Sequence, residues 1–301
     1  MDRRVTTIID QEKCTGCGMC VIVCPSDTIS IQDRKAVVSG ERSLNCGHCA
    51  AVCPEGAIEV SGIDENTSSY KTFITDDRWV PHGEYDTGEL VRLMRSRRSC
   101  RNFSDRPVER IVLEDLVKIG ITAPSGSNSQ MWTFTILPSK NEVGGLGERA
   151  GEFFRKINRI VEKSFLRFLL RLVGKKEFES YYQEHYERVK KGLEEWDKTG
   201  RDLLFHGATA CIIVGSRPGA SCPGEDALLA TQNILLAAHS MGLGSCLIGY
   251  VVKAMRYDKG IQRFAGIPDE EEIYAIIALG YPDERYERTV GRKPFLLRYN
   301  E

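Results

Sequence analysis

The chain has 301 residues, about twice the usual length of a single domain. Apolar residues make up 42% of the sequence and charged residues 28%, which provides enough material for a core and excludes a disordered or collagen-like chain. Lys and Arg (41) nearly balance Asp and Glu (42), so the net charge of −1 gives no reason to expect nucleic acid or an anionic membrane surface as a partner.

The cysteines are unevenly distributed, with seven of the eleven in the first 53 residues. The first residues contain no apolar signal segment. The longest apolar run, residues 165–173, is interrupted by Arg167 and Arg171 and is shorter than the ~20 residues of a membrane-spanning helix. We therefore expect a cytoplasmic protein without a membrane span, whose clustered cysteines bind metal rather than form disulfides.

A cysteine motif occurs twice near the start of the chain. The pattern Cys-x2-Cys-x2-Cys-x3-Cys-Pro covers residues 14–25 and returns 29 residues later, over residues 43–54, with Ser43 in place of the first cysteine. The same shift relates Ile29 to Ile58 and Ile31 to Val60. Each half is therefore predicted to be a cysteine loop followed by a short strand.

Residues 1–62 resemble a two-cluster bacterial ferredoxin, in which cysteine runs of this spacing bind iron–sulfur clusters and the fourth cysteine of each run ligates the other cluster. The resemblance implies two [4Fe–4S] clusters, one on Cys14, Cys17, Cys20 and Cys53, the other on Cys24, Cys46, Cys49 and the doubtful ligand Ser43. Since a neutral hydroxyl is a poor iron ligand, the second site fits a serine-ligated [4Fe–4S] cluster, a [3Fe–4S] cluster, a cluster with solvent on one iron, or none. We favour a four-iron cluster of unusual potential. The alternative is a zinc site, although zinc motifs usually place a longer spacer between two cysteine pairs.

Residues 63–88 are polar and are predicted to form a linker, after which an apolar pattern over residues 89–94 predicts a helix. The run Arg97-Arg98-Ser99-Cys100-Arg101 follows. Guanidinium groups match phosphate oxygens two at a time, so this run is a candidate phosphate clamp, although basic runs are most often solvated surface.

A loop of small and amide residues, 123–132, separates a predicted helix over residues 113–121 from a predicted strand over residues 133–137. Asn128 and Gln130 in this loop offer the donors and acceptors that the polar edge of a flat heterocycle needs. The alternative is a loop capped by its own side chains. Further on, the pattern predicts strands over 210–214 and 273–279 and a long helix over 226–241.

The ordered motifs Arg-Arg-Ser-x-Arg-x-Phe, Pro-Ser-x-x-Asn-x-Gln-x-Trp, Gly-Leu-Gly-Ser-Cys and a late Arg-x-Pro resemble the FMN-dependent nitroreductase family over residues 89–301. The resemblance implies an α+β fold, with a two-cluster ferredoxin-like domain fused to a mixed sheet flanked by helices, and an intertwined homodimer with two FMN sites at its interface. In such a dimer the loop that begins at Pro124 reaches the flavin from the partner subunit. The residues that the resemblance assigns to FMN are Arg97, Arg98, Ser99, Arg101, Pro124, Ser125, Gly126, Asn128, Gln130, Leu247, Ile248, Gly249 and Arg292.

Residues 146–204 match the family least and are predicted to be amphipathic helices. We favour helices that pack on the dimer or on the cluster domain. The alternatives are a lid over the flavin that brings Tyr181, Tyr182 or Tyr186 to the substrate, and a basic helix at a membrane surface.

Together these features predict an iron–sulfur flavoprotein oxidoreductase. Electrons would pass from the clusters to FMN and on to a small organic acceptor, such as a nitroaromatic, a quinone or an enoate-like compound, with reduced ferredoxin or NAD(P)H as the donor. No side chain is assigned as catalytic, because the cofactors supply the chemistry. The alternative function is a non-catalytic electron-relay subunit of a larger redox complex.

Overall fold

The computed structural model describes residues 3–300 of the chain. Residues 3–62, which we call the cysteine module, contain four short strands and two single-turn helices. These are β1 (Thr7–Ile9), α1 (Met19–Ile22), β2 (Ile29–Gln32), β3 (Lys35–Val38), α2 (His48–Ala51) and β4 (Ile58–Val60). β1 pairs antiparallel with β4, and β2 with β3. The module therefore consists of two small two-stranded sheets with a helical turn beside each cysteine loop.

The internal repeat of the sequence is visible in the backbone. α1 and α2 each follow a glycine in the left-handed region, Gly18 with φ 78° and Gly47 with φ 75°, and these two glycines are 29 residues apart. A residue with a side chain adopts this conformation at a cost, which explains glycine at both positions. β2 and β4 confirm the short strands predicted after each cysteine loop.

The connector between the two parts of the chain is mostly exposed and contains one 3-10 helix, Glu65–Ser68. One buried carboxylate of the next part anchors it, beside contacts from Lys118 and Glu114. Asp115, which is completely buried, accepts hydrogen bonds from the backbone N–H of Lys71 (2.9 Å) and Thr72 (2.7 Å) and from the Thr72 hydroxyl (2.7 Å).

Residues 89–300, which we call the sheet domain, contain a four-stranded sheet between layers of helices. Its helices, the first beginning two residues before the domain, are α3 (Thr87–Ser96), α4 (Arg110–Gly120), α5 (Lys140–Val161), α6 (Ser164–Leu172), α7 (Glu177–Glu184), α8 (Tyr186–Thr199), α9 (Pro223–Ser240), α10 (Gly249–Tyr257) and α11 (Lys259–Phe264). Its strands are β5 (Trp132–Leu137), β6 (Ala210–Ser216), β7 (Gly244–Leu247) and β8 (Glu272–Gly280).

The strand order is β5-β6-β8-β7, and neighbouring strands are antiparallel. A parallel bridge between Ser99 and Ser245 adds the segment after α3 to the free edge of β7, so both kinds of pairing occur. This architecture confirms the predicted α+β class with a mixed sheet and flanking helices.

Both faces of the sheet are covered, because side chains alternate along each strand. On β6, Ile212 packs with α4 and α9 on one face, whereas Ile213 packs with α5 and α10 on the other. Every residue of β6 is buried. The sheet core therefore fixes the ends of α9 and β7, where the candidate site lies.

Residues 146–204 form the larger part of α5 together with α6, α7 and α8, as the amphipathic pattern predicts. Two of the three tyrosines considered for a lid are core residues. Tyr181 and Tyr186 are each 5% exposed, and their hydroxyls donate to Asn158 on α5 and to Glu162 immediately after it. In this chain the two tyrosines therefore pack α7 and α8 onto α5.

Among the helices of residues 3–300, none combines the length and the apolar character that a membrane crossing requires.

Candidate functional site

The predicted phosphate clamp follows α3 and is held by the ends of β7 and β8. The Cys100 N–H donates to the Ser245 carbonyl (3.0 Å), and the Ser104 N–H donates to the Tyr281 carbonyl (2.9 Å). These bonds fix residues 99–104 as an irregular edge segment of the sheet. Arg97, the residue immediately after α3, stands where this segment begins.

Beside this segment lies a cavity of about 940 Å³. Arg97 and Arg98 line it together with His239 from the end of α9 and Ser245 from β7. Burial lowers the pKa of Arg97, and the positive charges of Arg292 and Arg98 lower it further. The structure thus brings Arg292, far away in sequence, close to the predicted clamp.

The cavity combines arginines that form no ion pair with an unsatisfied polar atom. Among the described side chains, no carboxylate forms an ion pair with Arg97, Arg98, Arg101 or Arg292. Ser245 is 1% exposed, and its hydroxyl has no hydrogen-bond partner among the described residues. Buried polar groups are normally paired, so this arrangement fits an anionic group with several acceptor oxygens.

Cys246, next to Ser245 on β7, is a thiol rather than a reactive thiolate. Burial raises its pKa, although the nearby Arg101 and a hydrogen bond with Ser99 oppose the increase. These interactions also place Ser99 and Arg101 on the β7 side of the clamp segment.

The residues at the end of β7 differ in exposure. Leu247 is 49% exposed and Ile248 is buried, and Gly249 begins α10. The Ile248 N–H donates to the Ile276 carbonyl of β8 (2.9 Å), which fixes the backbone at this point.

The loop that begins at Pro124 is anchored at the other end of α9. Asp226, which is 4% exposed and lies in the first turn of α9, accepts from the Gly126 N–H (2.8 Å) and the Ser129 hydroxyl (3.1 Å). The Gln130 N–H donates to the Ser125 hydroxyl (3.1 Å). The buried carboxylate of Asp226 on α9 therefore holds the predicted flavin loop in its conformation.

The side chain of Asn128 points to the cysteine module. Its amide nitrogen donates to the Leu44 carbonyl (3.0 Å) and the Asn45 carbonyl (3.2 Å), and its amide oxygen accepts from Gln130 Nε2 (2.8 Å). Leu44 and Asn45 lie between Ser43 and Cys46, so the predicted flavin loop contacts a predicted cluster loop.

The two groups of predicted flavin residues lie at opposite ends of α9. Asp226 holds the loop at one end, and His239 lines the cavity of Arg97 at the other. The thirteen-residue step from Asp226 to His239 spans about 20 Å of helix axis. A single chain therefore does not bring the two groups together.

The cysteines of the module line two small cavities. Cys14, Cys17, Cys20 and Cys53 line one, and Cys24, Ser43, Cys46 and Cys49 line the other. Ser43 is 8% exposed and accepts from the Asn45 N–H (3.0 Å).

The residues around both cavities fit iron–sulfur clusters. Backbone N–H groups donate to cysteine sulfurs, from Thr28 to Cys24 Sγ (3.4 Å), from Ala36 to Cys14 Sγ (3.4 Å) and from Ala57 to Cys53 Sγ (3.3 Å). Such bonds stabilise thiolate ligands and tune cluster potentials. No three of the described His, Cys, Asp and Glu side chains converge closely enough to hold a single metal ion.

Sequence reasoning missed Asp226, Ser245 and Glu284. Asp226 carries no local motif, and only its burial beside the loop reveals its function. Glu284 lines the cationic cavity. Burial raises the pKa of its carboxyl group, but hydrogen bonds from Tyr286 and Asn102 outweigh this effect and lower the pKa. Ser245 was inside the quoted Gly-Leu-Gly-Ser-Cys motif, and that signal could have identified it.

Comparison with protein families gives two matches to this chain. The model described as the nitroreductase family matches residues 94–281, and the model described as a 4Fe-4S dicluster domain matches residues 13–57.

Curated proteins are similar to about two thirds of this chain over most of their own length. An iodotyrosine deiodinase from Thermotoga neapolitana is 28% identical over 214 residues, which cover 70% of this chain and 97% of that protein. A 4-nitrobenzoate reductase from Nocardioides sp. is 25% identical over 209 residues, which cover 64% of this chain and 81% of that protein.

Among solved structures, a nitroreductase with bound FMN from Bacteroides fragilis is similar to this chain with a TM-score of 0.50 and 23% identity. The match covers 71% of this chain and the whole of that one. At this identity the likeness establishes a shared fold.

Proposed function

This chain belongs to the nitroreductase family, and on that premise we propose that it is an iron–sulfur flavoprotein that reduces a small organic acceptor at FMN with electrons supplied through its clusters. The family match covers residues 94–281, and a 4Fe-4S dicluster domain precedes it. The observation that carries the proposal is the cavity of about 940 Å³ in which Arg97 and Arg98 form no ion pair with a carboxylate of residues 3–300.

The phosphate of FMN fits the cationic end of this cavity. Arg97, Arg98 and Arg292 would supply guanidinium donors, and the unpartnered Ser245 hydroxyl would supply another. Ser99 and Arg101 extend the clamp towards β7. Near the flavin ring, backbone groups of Leu247, Ile248 and Gly249 would be available as donors and acceptors.

The clusters would occupy the two cysteine cavities. We assign one cluster to Cys14, Cys17, Cys20 and Cys53, and the other to Cys24, Cys46 and Cys49 with Ser43 as the candidate fourth ligand. When bound, the clusters would supply one-electron transfer and the flavin a two-electron exchange with the acceptor. The protein itself holds the groups in place and donates N–H bonds to the thiolates.

We propose that the working form is a homodimer. The clamp and the loop that begins at Pro124 lie at opposite ends of α9, so a second copy must supply the loop if both contact one flavin. Residues 285–300 are exposed along their whole length, including Phe295 (83%) and Leu296 (72%), which is expected of an arm that packs on a partner.

The acceptor and the donor are proposed by class. The named relatives include an iodotyrosine deiodinase and a 4-nitrobenzoate reductase, whose substrates differ although both contain aromatic rings. We therefore propose a nitroaromatic, quinone or enoate-like acceptor and reduced ferredoxin or NAD(P)H as donor. The clustered cysteines suit the reducing cytoplasm.

The proposal is tested by anaerobic purification followed by counts of iron, sulfide and FMN per chain, with EPR spectra of the reduced protein. We expect FMN bound at one per chain, and flavin absorbance that is bleached by reduced ferredoxin or NAD(P)H and restored with turnover by a nitroaromatic or quinone. A colourless protein would contradict the proposal. If small acceptors never restore the absorbance and a redox protein co-purifies, the electron-relay function replaces it.

A further inference from the structure

The two halves of the cysteine module are equivalent by a shift of 29 residues, and two of the positions at which their cysteine loops differ matter here. Cys14 corresponds to Ser43, and Gly16 corresponds to Asn45. Both Gly16 (φ 73°) and Asn45 (φ 48°) adopt the left-handed conformation, so the backbone of the loops is alike although the residues differ.

The first cysteine loop is covered from within the module. A Cβ atom on Gly16 would stand 1.9 Å from the Arg34 carbonyl oxygen, so the β2–β3 hairpin lies directly on the loop and requires glycine there. The Lys35 ammonium donates to the Gln11 carbonyl (3.0 Å), and the Ala36 N–H donates to Cys14 Sγ (3.4 Å).

The second cysteine loop is contacted by the sheet domain instead. Asn128 donates to the Leu44 and Asn45 carbonyls, and the Arg3 guanidinium donates to the Ser127 carbonyl (2.9 Å). Asn45, the equivalent of Gly16, thus accepts a bond from the loop that the family resemblance assigns to the flavin.

The loop that makes this contact is a fixed structure. Ser127, Asn128 and Gln130 have φ values of 53°, 52° and 46°, a conformation that non-glycine residues rarely adopt. Asp226 holds both ends of the turn through Gly126 and Ser129. A backbone conformation that costs free energy persists only when surrounding interactions hold it in place, and such conformations are common at functional sites.

We propose that the cavity of Cys24, Ser43, Cys46 and Cys49 is the inner of two cluster sites, held next to the flavin loop by Asn128, and that Asn128 is a positioning residue and not a flavin ligand. The cavity of Cys14, Cys17, Cys20 and Cys53 is then the outer site, covered by the β2–β3 hairpin and with Cys17 exposed. This inference rests on the proposed function. It reassigns Asn128, because all the hydrogen-bonding atoms of its amide group are used within the chain.

The first test compares Asn128→Asp and Asn128→Gly with the wild-type holoprotein. Asp adopts the left-handed conformation readily but places a carboxylate oxygen against the Leu44 and Asn45 carbonyls. Gly removes both the backbone strain and the amide group. We expect amide hydrogen exchange over residues 43–47 to accelerate at least tenfold in both variants, with residues 14–18 unchanged and the FMN dissociation constant within threefold of wild type. Asn233→Asp on α9 is the control and should change neither quantity.

The opposite pattern would overturn the inference. A tenfold or greater loss of FMN affinity, with or without faster exchange, would make Asn128 a flavin ligand. Unchanged exchange over residues 43–47 would remove its positioning role. Wild-type protein that binds no FMN and no iron would refute the proposed function itself, which separates the two failures.

The second test locates the two cluster sites relative to the flavin. Cys46→Ala removes a ligand of the inner site, and Cys17→Ala removes a ligand of the outer site. Iron counts verify that one cluster remains in each variant. If it does not, Cys49→Ala and Cys20→Ala replace them. The power saturation of the flavin radical EPR signal reports the nearest paramagnetic cluster. We expect much faster relaxation in the Cys17→Ala protein than in the Cys46→Ala protein; equal or reversed relaxation would overturn the inner assignment.

Discussion

At the scale of single residues, Arg97 shows most clearly why an anion is expected in the cavity. A guanidinium remains protonated in proteins, so the lowered pKa of Arg97 does not discharge it. Arg97 is partly buried beside Arg292 and Arg98 and forms no ion pair with a described carboxylate, so a bound phosphate would reduce the repulsion among these charges.

We expect Arg97→Gln to lower the affinity for FMN by roughly 10–100-fold, since a hydrogen bond between charged groups contributes about 1.5–3 kcal/mol. FMN fluorescence titration of the apoprotein measures this loss. Arg110→Gln, at an exposed position that begins α4, is the matched control and should bind FMN like wild type. Equal affinities in the two variants would remove Arg97 from the clamp.

Ser43 is the second residue whose identity is informative. It lines the inner cavity with three cysteines, and its oxygen already accepts the Asn45 N–H. We expect Ser43→Cys to change the EPR spectrum and reduction potential of one cluster only, with iron counts consistent with two four-iron clusters. Cys17→Ser in the outer site is the comparison and should change the other cluster. A spectrum identical to wild type in Ser43→Cys would show that position 43 is not a ligand.

At the scale of elements, the long apolar patterns predicted the structure well. The predicted helix over residues 226–241 is α9, Pro223–Ser240, and the predicted strand over 273–279 is β8, Glu272–Gly280. β1 and β3 were not predicted, because strands of three or four residues contain too little periodicity. The motif at Asn128 was found, but the direction of its side chain depends on a partner more than eighty residues away, which local sequence does not encode.

The attachment of the connector to α4 leads to a prediction on stability. Burial raises the pKa of Asp115, but the hydrogen bonds from Thr72 and Lys71 outweigh this effect and lower it below its usual 3.8. The carboxylate therefore stabilises the fold above about pH 4, and this contribution is lost as the pH falls through the lowered pKa.

We expect Asp115→Ala to reduce the free energy of unfolding by about 2 kcal/mol at neutral pH, because a buried charged acceptor is lost. Urea titration at several pH values measures the difference, which should shrink in strongly acidic buffer. Asp76→Ala, whose exposed carboxylate pairs with Arg78, should leave stability nearly unchanged. A difference that grows as the pH falls would contradict this role for Asp115.

At the scale of the whole molecule, the separation of the two halves of the site predicts that FMN binding depends on dimerisation. Phe295→Glu places a charge on the exposed arm without touching Arg292. We expect it to shift sedimentation towards the monomer and to weaken FMN binding at low protein concentration. Ile31→Glu, on an exposed position of β2, should do neither. Tight FMN binding by a monomer would contradict the shared site.

The length of α9 also determines which heterodimers of inactive variants are active. In the proposed dimer, each cysteine module serves the flavin held by the other subunit. Homodimers of a Cys46→Ala chain or of an Arg97→Gln chain would each lack a complete electron path. Their heterodimer retains one, from the cluster of the Arg97→Gln chain to the flavin held by the Cys46→Ala chain. A chain that carries both substitutions would instead inactivate a wild-type partner. One electron path would then lack its cluster, and the other would lack its flavin site.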